Sequence, residues 1–282
     1  DLHSFPTRRS SDLEPAYLSQ AEWGGAPVSD KHFTPRVGLS VSVDRNTSVY
    51  AVYDQAFIPQ AGKLANGGDV KPITGSNREL GIKRDWAGGK WNTTLAVYSI
   101  EKNNELTPDP NSNPALGLSI VLGKKVSKGF EFDLRGKITN ELSLIANYAL
   151  TESKVAEVAE GVTDMKEGDI VPGYSKHIAN AWLNYKIQRG KVRGLGVSAG
   201  FSFLAGRETY WDPSPDPSKV LPDYFKLDGG VFWERDKINV TLNVFNILNE
   251  YLYSGSYYQW LTAYNWQTDP PRNARFSIAY RF

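Results

Sequence analysis

Two short stretches gather aromatic and cationic side chains in otherwise polar sequence: Arg207, Tyr210 and Trp211 in one, and Tyr257, Tyr258, Trp260, Tyr264 and Trp266 in the other. Tyrosine and tryptophan offer flat faces for stacking and a polar tip for hydrogen bonding. Arginine pairs with oxygen-rich or anionic edges through charge-assisted bonds. Such clusters suit reversible recognition of a bulky, polar, ring-bearing molecule. Taken singly, each ring has a plainer role, packing on its neighbours in a loop or anchoring at a membrane boundary. Only the clusters point to a site.

Covalent and metal chemistry have fewer means. A hydrolase needs a nucleophile beside a base, and His177 is the one candidate base, with Ser175 and Asp169 close in sequence. Ser256 follows Gly255, but no G-x-S-x-G elbow surrounds it. His3, His32 and His177 stand apart without ligand-spaced partners. The carboxylates Asp109, Glu157, Glu160, Asp164, Glu167 and Asp169 lack the spacing of a calcium loop and read as solvated loop residues. The expectation is therefore no catalytic residues, no protein-held metal and no resident cofactor.

The elements that must carry the aromatic stretches are strands. In Phe130-Glu131-Phe132-Asp133-Leu134-Arg135 the apolar side chains fall on one face and the charges on the other, as a period of two requires. The same holds for Leu142, Leu144, Ala146, Tyr148 and Leu150, and for Ile238, Val240, Leu242 and Val244 opposed by Asn239, Thr241 and Asn243. Phe276, Ile278, Tyr280 and Phe282 alternate with Arg275, Ser277, Ala279 and Arg281. Short turns join such segments at Asp44-Arg45-Asn46, Ala87-Gly88-Gly89, Lys137 to Glu141, Gln188 to Val192 and Asp236-Lys237. Long polar stretches separate the hairpins: Ile58 to Ser76, Lys102 to Val126, Val155 to Ser175, Arg207 to Pro222 and Tyr251 to Pro271. Strict alternation of short turns and long loops is the asymmetry of outer-membrane barrels, and the template yields about eleven strands. A soluble sandwich or propeller also has many short strands. The strands here run longer than usual, and Trp86, Trp91 and Trp233 all sit beside short turns, where a membrane-interface girdle would lie.

Composition agrees. No stretch approaches the roughly 18 apolar residues of a spanning helix, whereas a barrel strand needs only about 10 with every second one apolar. A mean hydropathy of −0.42 is compatible with the latter. A formal net charge of +1, with no dense basic run, argues against nucleic acid as a partner. The absence of cysteine removes disulfides, thiolate zinc sites and a cysteine nucleophile. Residues 1–13, DLHSFPTRRSSDL, show neither alternation nor turn spacing. They resemble a translated sequencing-adapter scar, with a disordered natural tail as the alternative, and residues 14–282 form the domain.

Three segments carry a family resemblance: PITGSNRELGIKRDWAGGKWNTTLAVYSIEKNN (Pro72 to Asn104), VSKGFEFDLRGKITNELSLIANYALTESKV (Val126 to Val155) and LPDYFKLDGGVFWERDKINVTLNVFNILNEYLY (Leu221 to Tyr253). With the terminal ARFSIAYRF, this ordered set resembles the C-terminal barrel half of the TonB-dependent siderophore receptors of the Gram-negative outer membrane.

The resemblance implies an all-β fold, an antiparallel transmembrane β-barrel with about eleven strands present of about 22. It further implies a fragment without the plug domain, the energy-coupling box or the first barrel half. The function implied is import of ferric siderophores with TonB-coupled energy, iron entering only inside its chelate. The same architecture importing cobalamin, haem or another nutrient is the alternative, and a barrel hydrolase or passive porin lies further off. A catecholate or hydroxamate chelate presents flat rings and oxygen-rich edges to the two aromatic clusters. Partners implied are the ferric siderophore, the TonB complex through the missing plug, membrane lipid and the barrel assembly machinery. The last of these would read Phe276, Ile278, Tyr280 and Phe282 as an insertion signal.

Overall fold

A computed structural model describes residues 31–109, 112–113, 116–160, 162, 166–208, 221–259 and 263–282. Residues 1–13, with their expected scar or tail, lie outside the described residues. Among the described residues, eleven long strands form one sheet in which every neighbour is antiparallel. In spatial order they are β1 (Arg36–Ser42), β2 (Thr47–Ile58), β4 (Ile73–Trp86), β5 (Trp91–Asn103), β8 (Gly123–Lys137), β9 (Leu142–Val158), β10 (Tyr174–Lys186), β11 (Leu195–Glu208), β12 (Tyr224–Arg235), β13 (Ile238–Phe245) and β16 (Asn273–Tyr280). The long connections carry two small sheets. One is β3 (Lys63–Leu64), β7 (Leu118–Val121) and β6 (Leu106–Pro108), and the other is the hairpin β14 (Tyr253–Gln259) and β15 (Ala263–Thr268).

Register converts alternation in sequence into two faces. Residues opposite one another share a face, so Val97, Phe130 and Leu150 line up across three strands, as do Leu95, Phe132 and Tyr148. Continued across the sheet, the same face carries Leu39, Ala51, Leu80, Leu144, Leu183, Val197, Val231, Val240 and Ile278. The opposite face carries Ser48, Lys83, Glu131, Asp133, Asn147, Asn180, Ser202, Lys226, Asn243 and Arg275. The expected partition of Phe130, Leu144, Val240 and Ile278 from Glu131, Asp133, Asn243 and Arg275 is thus present strand by strand. A one-residue slip would move a whole strand's apolar set to the polar side.

The apolar face is uncovered. Leu39 is 66 %, Phe276 62 % and Ile278 65 % exposed. An apolar surface of this extent is a liability in water and fits lipid. No helix among the described residues is long and apolar enough to cross a membrane. Trp86 and Trp91 stand directly opposite each other across the Ala87–Lys90 turn, and Trp233 lies three residues before Asp236 of the Asp236-Lys237 turn. All three share the apolar face at its short-turn end. Arg84 stacks 4.3 Å from the Trp86 ring, and the Trp86 indole donates to the Thr93 hydroxyl at 2.9 Å.

Several boundaries differ from the expectation. β4 starts at Ile73, β8 at Gly123 and β9 runs to Val158, each inside a stretch expected to be loop, and the turn between β10 and β11 spans residues 187–194. These strand ends break the period of two, as in Lys124-Lys125-Val126-Ser127 and Val155-Ala156-Glu157-Val158, so alternation carries no signal there while the backbone ladder continues. Above them a small core forms where Leu122 and Val155 pack with Val158, Val162 and Val171. The Val155 amide donates to the Asp169 carbonyl and the Val171 amide to the Ser153 carbonyl, folding the connection back onto β9.

Close approach explains some glycines. Gly81 lies under the Tyr50 ring and Gly200 under the Trp182 ring, where an added Cβ would come within 2.3 and 2.1 Å of ring carbons. Both rings belong to the polar face, where an aromatic plate laid over a glycine covers strand backbone that has no side chain of its own.

Candidate functional site

The polar face is a wall of paired hydrogen-bonding groups. Tyr50 donates its hydroxyl to Glu79 at 2.7 Å, the Tyr98 and Thr151 hydroxyls meet at 2.7 Å, and the Asn180 amide donates to the Asn147 side-chain oxygen at 2.9 Å. Thr241 and Ser277 bond at 2.6 Å. Glu131, Asp133, Arg135 and Arg275 are exposed on it. Such a wall can exchange water for the oxygens and donors of a polar ligand.

At the long-loop end the wall is crowned by the β14–β15 hairpin, which carries most of the second aromatic cluster. Tyr257 stands opposite Asn265 and Tyr258 opposite Tyr264, so these residues occupy adjacent rungs of the hairpin. Trp266 is half-buried, with its ring 5.3 Å from that of Tyr253 in an edge-to-face contact. Tyr210, Trp211 and Trp260 lie outside the described residues.

Arg207, expected beside a ligand, is held by backbone in the structure. It is 4 % exposed, and its guanidinium donates to the backbone carbonyls of Tyr253 at 2.6 Å and Ser254 at 2.8 Å, with a longer 3.5 Å bond to Pro222. The planar fork that suits a chelate's oxygens suits two successive carbonyls equally well. Its charge is used within the protein. The group sits 5.8 Å over the Tyr224 ring, and Tyr224 in turn donates its hydroxyl to Asp269 at 2.6 Å.

Sequence reasoning missed the rest of this junction. Asn246, only 1 % exposed, donates its side-chain amide to the Glu250 carbonyl and accepts from the Glu250 amide, while its own backbone amide donates to Asp228. Asn246 and Asn249 both have left-handed φ, at 51° and 57°. The available signal was the Asn-Ile-Leu-Asn spacing after a strand, since asparagine tolerates that conformation and bonds to nearby backbone. Beside Arg207 lies a cavity of about 430 Å³, bounded by Thr151, Ser175, Ile178, Leu204 and Ser254.

The hydrolase constellation does not assemble. His177 bonds the Tyr148 hydroxyl through Nδ1 at 2.8 Å, on the apolar face, and the Asp169 carboxylate accepts the Lys166 amide within its own turn. Among the described residues no group of three or more His, Asp or Glu is placed to hold a metal ion.

With this geometry in place, comparison with known proteins is specific. Residues 8–247 match the family model described as TonB dependent receptor-like, beta-barrel. The ferric-pyoverdine receptor PbuA of a Pseudomonas strain is 31% identical over 175 residues, which is 61% of this chain and 21% of that receptor. The metal-pseudopaline receptor CntO of Pseudomonas aeruginosa is 27% identical over 252 residues, 88% of this chain and 33% of CntO. The chain therefore spans between a fifth and a third of the length of these relatives. Among solved structures, the ferripyoverdine receptor of the outer membrane of Pseudomonas aeruginosa superposes with a TM-score of 0.69 at 23% identity, over 89% of this chain and 33% of that one. The ferric-catecholate import receptor Fiu of Escherichia coli gives 0.67 at 19% identity, over 88% and 34%. At those identities the superpositions establish the fold.

Proposed function

The chain belongs to the TonB-dependent receptor β-barrel family of the Gram-negative outer membrane, whose members are receptors and transporters rather than enzymes, and from that premise we propose that it forms wall and loops of a ferric-siderophore importer driven by TonB-coupled energy. The observation that carries the proposal is the division of one sheet into an uncovered apolar face and a polar face crowned by an aromatic hairpin. The apolar face meets lipid. The polar face lines the passage, and Tyr257, Tyr258, Trp260, Tyr264 and Trp266, with Tyr210 and Trp211, meet the chelate first. Stacking on several rings gives affinity without a covalent step, and release requires only that the stack open. Iron travels inside its chelate, with no resident cofactor and no protein ligand.

Coupling to TonB, contact with lipid and delivery by the barrel assembly machinery are parts of the same proposal. For the last, Phe276, Ile278 and Tyr280 form one apolar row on β16, an edge of the eleven-stranded sheet among the described residues. Phe282 follows with its ring 5.4 Å from that of Tyr280. An unpaired edge strand of this kind can be held by strand addition.

A second cargo class is favoured by one observation, the match of CntO, named as a metal-pseudopaline receptor, over 88% of the chain. The test is uptake of radiolabelled iron by a siderophore-deficient host whose only receptor is the complete polypeptide. Pyoverdine, ferrichrome and ferrioxamine B are supplied in turn, these being ligands in the names of relatives. Uptake of at least one, abolished when TonB is removed, is expected. Uptake of none, with the receptor present in the membrane and a metal-pseudopaline complex imported instead, selects the second class.

A further inference from the structure

We propose that Arg207 is a positioning residue, a latch that fixes the β14–β15 hairpin to the barrel wall and thereby sets where the hairpin's aromatic rungs stand. The proposal rests on the receptor reading above for its functional consequence, but the latch itself is a statement about this chain.

The hairpin is a sheet of its own, sharing no ladder with the eleven-stranded wall among the described residues. Its entry, at Tyr253 and Ser254, is tied to β11 by the two short bonds from the Arg207 guanidinium. Its exit is tied to β12 by the Tyr224 hydroxyl on Asp269, whose backbone amide also donates to the Leu252 carbonyl. Entry and exit are thus clamped by two residues whose side chains are themselves stacked.

Local geometry aims Arg207 at this task. Ala205 pairs with His177 on the apolar face, and simple alternation would place Arg207 there as well. Its guanidinium instead lies over Tyr224, which pairs with Leu204 on the polar face. The intervening Gly206 has φ 61°, a left-handed conformation in which a side chain would be strained, and an added Cβ would meet the Lys176 Cβ at 2.9 Å. A glycine kink just before the arginine redirects it from lipid to the loop junction. A buried guanidinium with its charge spent on carbonyls is costly to desolvate, and the fork geometry recovers that cost only while the hairpin is seated. Unseating would give up both carbonyl bonds and leave the guanidinium at the cavity bounded by Thr151, Ser175, Ile178, Leu204 and Ser254.

The experiment is amide hydrogen exchange on the complete receptor, comparing unaltered protein with Arg207→Ala, Arg207→Lys and Tyr224→Phe. Arg207→Ala is expected to speed exchange across Tyr253–Gln259 and Ala263–Thr268 by about tenfold or more, with β9 and β10 unchanged. Arg207→Lys keeps the charge but not the fork, and is expected to restore little. Tyr224→Phe keeps the stack and loses only the Asp269 bond, so its effect is confined to the exit near Thr268. Chelate affinity, measured with whichever member of the uptake panel the unaltered receptor binds, is expected to fall about tenfold in Arg207→Ala with the number of sites unchanged. Unchanged hairpin exchange, or equal acceleration in β9 and β10, overturns the latch. Faster hairpin exchange with unaltered affinity overturns the positioning role. If the unaltered receptor binds none of the panel, the siderophore reading fails while the exchange comparison still decides the latch.

Discussion

Phe132→Arg in the complete receptor is expected to destabilise the inserted barrel by about 2–4 kcal/mol, the cost of a cation on the lipid face near mid-membrane. Phe132 stands on the apolar face between Leu95 and Tyr148, in the middle of the row that runs from the Trp91 end of the wall toward Lys128. Its neighbours along that face, Phe130 and Leu134, leave an arginine no charged partner and a long reach to either interface. Asn147→Arg is the matched control. Asn147 lies on the polar face directly opposite Asp133, so a cation there gains a carboxylate while losing one bond to Asn180, a net change of about 1 kcal/mol or less. Denaturant unfolding in lipid bilayers measures both. Equal costs at the two positions would mean that both faces see the same medium.

Removal of Phe282 is expected to lower the amount of receptor in the outer membrane several-fold while leaving chelate affinity per inserted molecule unchanged. Phe282 is fully exposed and adds no hydrogen bond of its own among the described residues, the last backbone bond being Arg281 to the Lys237 carbonyl. Its loss therefore costs the folded wall little. What it shortens is the apolar row Phe276, Ile278, Tyr280 and Phe282 that the assembly machinery is proposed to grip. Quantitative immunoblotting of outer-membrane fractions, paired with binding per molecule, separates the two effects. Normal membrane levels would leave Phe282 as an interfacial anchor alone.

The wall was legible in the sequence because its physics is simple. Each strand must present apolar groups to one side and polar groups to the other, and the register is so costly to shift that a segment such as Phe130 to Arg135 or Ile238 to Phe245 declares both its conformation and its facing. Turns announced themselves through Asp-Arg-Asn and Ala-Gly-Gly. The loop end was not legible for the opposite reason. Lys63 pairs with Leu118, 55 residues further on, and Leu106 with Val121, in strands too short to show alternation, so no local period exists to find. Arg207 was readable as a cation beside aromatics. Its partners in the structure, the carbonyls of Tyr253 and Ser254, lie 46 and 47 residues further on and carry no side-chain signature. A side chain that bonds to backbone leaves no complementary residue in the sequence to give it away.

The division of the wall into two faces is directly measurable, because the wall itself carries no cysteine. Single cysteines placed in turn at Phe130, Glu131, Phe132, Asp133, Leu134 and Arg135, in the complete receptor held in outer membranes, are reacted with a charged maleimide and with a lipid-soluble one. A strict period of two is expected, with 131, 133 and 135 modified by the charged reagent and 130, 132 and 134 only by the lipid-soluble one. Uniform reaction with the charged reagent, or the inverse pattern, would contradict it.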